Sequence, residues 1–435
     1  MNTSRLALIA MSIVAIFAGP ALAVDLATVN WVSVPTKTLT LFYPGQSSYQ
    51  WLHSSDHPGA QVVTGGGACL TCHKGSEEKL GNKLVKANKL EPTPVEGKNG
   101  AIQLSIQVAY DNENAYFRAQ WKTRNNHAGE AHQFVRFDGK EWKTYGFPKL
   151  DAVVQKGEQP GIYEDRFSIM IDDGGVPGFA NQGCWLTCHN GERDNPKVAT
   201  KAEVQANPLY QALKQSDVRK YLPSTRTDAL ASWDKGKSPD EIAKIKAAGG
   251  FLDLMQWRAH RSNPVGMADD GYVLEYRLSD AGGNPFGSNV DPNTHQPRFM
   301  YDEKKVGKKA LAAGDIRKMP TALIRGQNAV PFDPNAGWKA GDLIPEYVLN
   351  REGAKGSGAD NKNVTGVWKD GMWTVLWVRP LNLANPDDKA LKEGKVYNFS
   401  FAVHDDNITT RGHHVSFPVT VGFGAKADIE ATRLK

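Results

Sequence analysis

All four cysteines of the 435-residue chain fall in two short clusters, and each cluster ends in histidine. Cys69-Leu70-Thr71-Cys72-His73 is a C-x-x-C-H run, and Cys184-Trp185-Leu186-Thr187-Cys188-His189 is the same run stretched by one residue. Two thiols on one turn reach the two vinyl groups of a single porphyrin, and the next residue offers an imidazole to the iron. A chain with two such clusters must fold around two bulky, covalently held rings. A thioredoxin-like dithiol requires no histidine at the following position. A four-cysteine zinc site would leave both histidines without a task. Cys69, Cys72, Cys184 and Cys188 are therefore read as thioether positions of two c-type haems, with His73 and His189 as proximal iron ligands.

The N-terminus fits that reading. Arg5 precedes the apolar run LALIAMSIVAIFAG, which closes on Pro20 and the small-residue site Ala21-Leu22-Ala23. This is the pattern of a cleaved secretory signal over residues 1–23, too short for a comfortable membrane span. The mature chain is expected to be periplasmic, with no membrane span. Four cysteines in an exported protein would ordinarily be two disulfides; the spacing and the two histidines argue for haem instead. Hydrophobic content of 40% and charged content of 23% are those of a soluble globular protein. The net charge of +5 is spread along the chain. That distribution gives no nucleic-acid site, while a weakly basic face could steer docking to an acidic redox partner in the periplasm.

Residues 24–96 hold the first cluster in a loop-rich segment, with glycines in GGGACLTCHKG that let backbone approach a porphyrin closely, and KLEPTPVEGKNG as a linker. Strand patterns dominate residues 97–425. AIQLSIQVAY and AYFRAQWKT alternate around an Asp-Asn-Glu-Asn turn, which predicts a hairpin. FSIMIDD, GYVLEYRL, GMWTVLWVRPL, VYNFSFAVHDD and HHVSFPVTVGF also read as strands. AEVQANPLYQALKQ and SPDEIAKIKAA suit helices, so 198–260 is taken as a helical insertion, and the Gly-, Pro- and Asn-rich stretch 281–366 as long surface loops. The expected architecture is mainly β: an antiparallel β-sandwich with a helical insertion and a loop-rich N-terminal haem segment.

Four stretches resemble one family: SSYQWLHSSDHPGAQVVTGGGACLTCH, EDRFSIMIDD, FLDLMQWRAHRSNP and YNFSFAVHDDNITTRGHHVSFPV. Together they are similar to the haem-binding domain related to the ethylbenzene dehydrogenase gamma subunit, in a c-type two-haem form. The resemblance implies a β-sandwich gripping one haem between its sheets, held in the gamma subunits by Met and Lys without thioethers. This chain departs from that pattern: the Cys184–His189 cluster stands where the Met would fall, and His413-His414 where the Lys would fall.

Distal ligands must come from the remaining histidines, the methionines or a lysine. His414 is the first choice for the sandwich haem and His413 the second; neighbours on a strand face opposite ways, so one of the two points at the ring. His57, and after it His53, are the choices for the N-terminal haem, and His260 is a candidate for either. His404, Met170, Met255 and Met372 are read as structural, and the tryptophans as sandwich core. Two bis-histidine irons leave no open coordination site, which favours electron transfer over catalysis. The alternatives are a haem subunit of a larger molybdenum-type oxidoreductase, a haem-based sensor with a displaceable ligand, and a catalytic haem with Asp405, Asp406 and Arg411 beside the iron. A turn between strands accounts for those last three more simply.

Overall fold

The computed structural model describes residues 29–86, 90, 97–125, 127–195, 197–279, 282–356, 361–383, 385–409 and 412–435. The secretory signal expected at 1–23, Arg411 and most of the expected linker lie outside them.

The architecture is mainly β, as expected. Thirteen strands among the described residues share one sheet: β1 (Lys37–Phe42), β2 (Ala101–Tyr110), β3 (Asn114–Lys122), β4 (Arg166–Asp172), β5 (Leu252–Arg258), β6 (Gly271–Val273) and β7 (Arg277–Ser279). The rest are β8 (Asn363–Lys369), β9 (Met372–Pro380), β10 (Lys395–His404), β11 (His414–Val415), β12 (Val419–Phe423) and β13 (Ile429–Arg433). Their order is β8-β9-β3-β2-β1-β11-β10-β4-β5-β6-β7, and β12 and β13 make a second link from β10 to β2. Two routes thus join β2 to β10, and the sheet wraps over itself around one core.

Alternation explains the hairpin that opens it. In β2, Ile102, Leu104, Ile106 and Val108 point inward, and β3 returns with Leu104 opposite Trp121 and Val108 opposite Phe117. Asp111 fixes the turn, its carboxylate accepting from the Glu113 and Asn114 amides at 2.8 and 2.7 Å. The core between the layers is filled by Trp121, Trp257, Trp373 and Trp377, all buried, with Trp257 and Trp373 meeting edge to face at 4.9 Å. Each of three indole N–H groups donates to a side-chain oxygen: Trp257 to Asn263, Trp373 to Asp165, Trp377 to Asn361.

Several expectations change. The segment before residue 97 contributes β1 to the middle of the main sheet, between β2 and β11, because Lys-Thr-Leu-Thr-Leu-Phe alternates. Four short helices follow: α1 (Tyr49–Leu52), α2 (Ala60–Thr64), α3 (Leu70–His73) and α4 (Glu77–Leu84). Helix α4 lies tight on the sheet at Gly81, where a Cβ would stand 1.9 Å from the Gly100 carbonyl oxygen. The helical insertion ends at Ala247, not 260. The end of that segment, Leu252–Arg258, is β5, a central strand paired with β4 and buried on both faces, so its polar Asp253, Gln256 and Arg258 mark no solvent face. GYVLEYRL is not one strand but the hairpin β6–β7; its Leu274 carbonyl turns out to accept from the Leu222 amide. The described residues of 281–366 are not simply surface loops. Strands of two or three residues there, with 134–145, enclose a second core of Phe134, Tyr301, Leu323, Leu343 and Ile344.

Candidate functional site

Strands β4, β5 and β10 bury both faces, and the two faces do different work. Phe167, Ile169 and Ile171 of β4, with Met255, Trp257, Phe399, Phe401 and Val403, fill the core. The alternate residues Ser168, Met170, Leu254, Gln256, Ser400, Ala402 and His404 line a chamber on the other side. Cys184, Lys220, Arg277, His413 and Val415 border both this chamber and an outer cleft of about 780 Å³ that opens to solvent past Cys188 and His189. Chamber and cleft lie outside the sandwich rather than between its sheets, because four tryptophans already occupy the interior.

The second cysteine cluster forms the wall of this space. Gly183–Thr187 is a 3-10 turn, and Cys188 leaves it in extended conformation, which absorbs the extra residue of the spacer. Cys184 is buried, and burial pushes its thiol and that of Cys188 well up. The Lys220 ammonium sits 3.1 Å from the Cys188 sulfur. His189 is buried and stacked on Tyr221 at 3.8 Å. Its Nε2–H donates to the Leu186 and Tyr221 carbonyls at 3.0 Å each, its Nδ1 accepts from Gln50 at 3.2 Å, and burial pulls its pKa down to about 3. Reaching into the cleft requires the imidazole to swing away from those carbonyls.

Of the His413–His414 pair, it is His413 that borders the chamber. His413 lines both chambers and stacks on His404 at 5.0 Å, their planes 13° apart. His414 faces the other side and donates from Nε2 to the Asn99 carbonyl at 2.9 Å. Sequence reasoning left His404 as structural, yet it is a buried chamber residue whose Nδ1 lacks a hydrogen-bond partner. The Ser-Phe-Ala-Val-His alternation of β10 carried that signal. Met170, read as core, also faces the chamber.

The first cluster sits on α3, where a spacing of three residues puts Cys69 and Cys72 on one side of the helix and the His73 amide donates to the Cys69 carbonyl at 3.0 Å. Cys72 is exposed; burial pushes the Cys69 thiol up to about 11. His57 faces His73 with ring centroids 6.3 Å apart. Two imidazoles on opposite sides of one metal ion, with bonds of about 2 Å, stand roughly this far apart. The Nδ1–H of His57 donates to the Leu52 carbonyl at 3.1 Å, which leaves Nε2 as the basic nitrogen. His53 instead packs on Tyr49 at 4.1 Å and donates from Nδ1 to its carbonyl. His260 is at neither site: it lies buried beyond β5 near Phe134, with its amide donating to Glu164.

The two clusters meet. The Cys69 amide donates to the Asn181 carbonyl at 3.0 Å, and that of Tyr49 to the Cys188 carbonyl at 2.7 Å. Cys69 and Leu70 pack on the apolar cluster that contains Cys184, Trp185 and Leu186. The His73 ring stacks on Phe417 at 6.1 Å, and Phe417 lies 5.4 Å from Trp185. No two of the four cysteines are joined in a disulfide. Nor do cysteines and histidines converge as a zinc site would require; among the described residues the convergent group is Asp253, Asp270 and Asp388.

The residues fit a c-type haem at each cluster: thiol pairs on single turns, a second histidine facing His73, and a cleft open to solvent beside Cys184 and Cys188. A family model described as "Ethylbenzene dehydrogenase" matches residues 27–416. A protein named cytochrome c-552 from Stutzerimonas stutzeri is 25% identical over 410 residues, covering 94% of this chain and 91% of that protein. A cytochrome c-551 from Rhodocyclus tenuis is 27% identical over 277 residues, 62% of this chain and 90% of that protein.

Proposed function

The chain belongs to the ethylbenzene dehydrogenase family, and on that premise we propose that it is a c-type cytochrome that transfers electrons through two covalently attached haems. The observation that carries this reading is that each Cys-His cluster borders a second histidine: His57 opposite His73, and His413 across the chamber from Cys184. The relatives named cytochrome support haem as the cofactor.

In this reading Cys69 and Cys72 hold one haem, with His73 and His57 on its two faces. Cys184 and Cys188 hold the other, with His189 swung into the cleft it borders and His413 opposite. Histidine on both faces closes the iron to substrates and suits outer-sphere electron transfer. The exposed Cys72 edge is the port where a redox partner docks, and the His73–Phe417–Trp185 contacts, which join the two clusters, support electron exchange between the haems. Export with cleavage after about Ala23 puts the protein in the periplasm, and among the described residues no helix is long and apolar enough to cross a membrane. A free-standing carrier is favoured over a subunit of a larger oxidoreductase, because the cytochrome c-552 match runs over nearly the full length of both chains.

The test is a potentiometric titration of the purified protein with optical and EPR detection. Two low-spin haems titrating without carbon monoxide binding support the proposal. A high-spin iron that binds carbon monoxide in the native protein contradicts it in favour of a sensor or catalyst.

A further inference from the structure

Behind the inner chamber lies a buried cluster with surplus positive charge. Arg166, Arg258, Arg261 and Arg277 share two carboxylates, Glu164 and Asp269. Glu164 is fully committed: it accepts from Arg261 at 2.7 Å and from the His260 and Arg261 amides, with Arg166 at 3.3 Å. Asp269 is held by both arms of Arg258 at 2.6 and 2.7 Å. Arg277 comes last in this chain of pairings. It reaches the Gln256 amide oxygen at 3.1 Å, while Asp269 stands 3.9 Å away. The other arginines on the cleft wall have acids of their own, Arg219 pairing with Asp217 at 2.7 Å and Arg193 lying 3.7 Å from Asp194. Burial and the neighbouring Arg258 pull the Arg277 guanidinium down to about 9. Arg277 is half-buried, its side chain 21% exposed, and a cation so far withdrawn from water without a full counter-ion is costly; it borders both the chamber and the cleft.

We propose that Arg277 binds a carboxylate of the ring that fills this space, a propionate of the haem attached at Cys184 and Cys188. The inference rests on the dihaem reading above. A guanidinium fork matches a carboxylate in two parallel hydrogen bonds, and the surplus of guanidinium over carboxylate in the cluster suits a ligand that brings acid groups of its own. Arg277 is thus a positioning residue: it orients the ring edge and holds the propionate ionised.

The experiment uses the holoprotein and two variants, Arg277→Gln and Arg277→Lys. Haem attachment at each cluster is read by peptide mass spectrometry, and the midpoint potential of each haem from about pH 5 to about pH 8 by spectroelectrochemistry. Thioethers retain the ring in the variants. The expected wild-type potential of the second haem is nearly independent of pH. In Arg277→Gln that potential shifts down, since a cation favouring the reduced iron is gone, and it falls further with rising pH as the released propionate titrates. Arg277→Lys keeps the charge and shifts less. Unchanged potential and pH profile in both variants, with both haems attached, overturn the propionate assignment while leaving the dihaem reading intact. Absence of haem on the Cys184–Cys188 peptide of the wild type overturns both.

Discussion

Alanine at Gly183 would test how the second thiol pair is held. Gly183 immediately precedes Cys184 and sits at φ +59°, ψ −141°, a conformation that side chains rarely tolerate. A Cβ there would stand 2.9 Å from the Ser400 hydroxyl and 3.0 Å from the Pro418 ring. Neither can yield easily, since Ser400 belongs to β10 and Pro418 follows the Phe417 that stacks on His73. The backbone conformation costs about 1–3 kcal/mol for a non-glycine residue, and the forced contacts add about 1–3 kcal/mol. A destabilisation of about 4 kcal/mol corresponds to a fall in Tm of roughly 4–5 °C for a chain of this size. The assay is thermal unfolding of the holoprotein followed by circular dichroism, with haem per chain measured alongside. Gly287→Ala is the control: it is exposed, with nothing within 4 Å of the new methyl group, so its effect should stay within about 0.5 kcal/mol. A Gly183→Ala protein that melts with the wild type and carries full haem would refute the claim that this glycine sets the attachment turn.

Other expectations follow from the same geometry. His57→Ala should open one iron, giving a high-spin band and carbon monoxide binding at one haem per chain, whereas His53→Ala should not; equal behaviour of the two variants counts against His57 as a ligand. Asp253→Ala should cost about 3–5 kcal/mol in urea unfolding, because it strands the fully buried Arg379 guanidinium that Asp253 accepts from at 2.7 Å; a loss below about 1 kcal/mol would show that the pair is not held in a dry interior. His260, buried and pulled down to about 4, stays neutral in the folded chain while the unfolded chain takes a proton near 6.5. Its contribution, about 3 kcal/mol, is therefore present above about pH 6.5 and lost as pH falls toward 4. His260→Gln should lessen, by about one proton, the pH dependence of the urea midpoint between those values, and an unchanged slope would rule the residue out as a contributor.

How much of this was legible from sequence depended on local pattern. The β2–β3 hairpin, β4, β9 and β10 announce themselves by alternation or by a short apolar run. Strand β5 reads as part of the helical insertion because it is buried on both faces, and its Asp253, Gln256 and Arg258 mark no solvent side. The hairpin inside GYVLEYRL turns without glycine, proline or asparagine, so no turn residue marks it. The second core between 281 and 366 is assembled from strands of two or three residues, too short for any periodicity. At the site, the cysteines, His73 and His189 were readable from spacing alone, as was His57 from its place before the first cluster. Choosing His413 over His414 required knowing which face of β11 meets the chamber. The roles of His404, Phe417 and Arg277 emerge only where β4, β5, β7, β10 and the second cluster come together in space.

The central claim is that one chain carries two covalently bound haems, and it is tested most directly by counting them. Intact-mass and peptide mass spectrometry of the protein from an oxidising compartment, with a pyridine haemochrome assay, gives haem per chain and its attachment sites. The account predicts two c-type haems, one on the peptide bearing Cys69 and Cys72 and one on that bearing Cys184 and Cys188. A single haem, or free thiols at Cys184 and Cys188 in fully loaded protein, would contradict it.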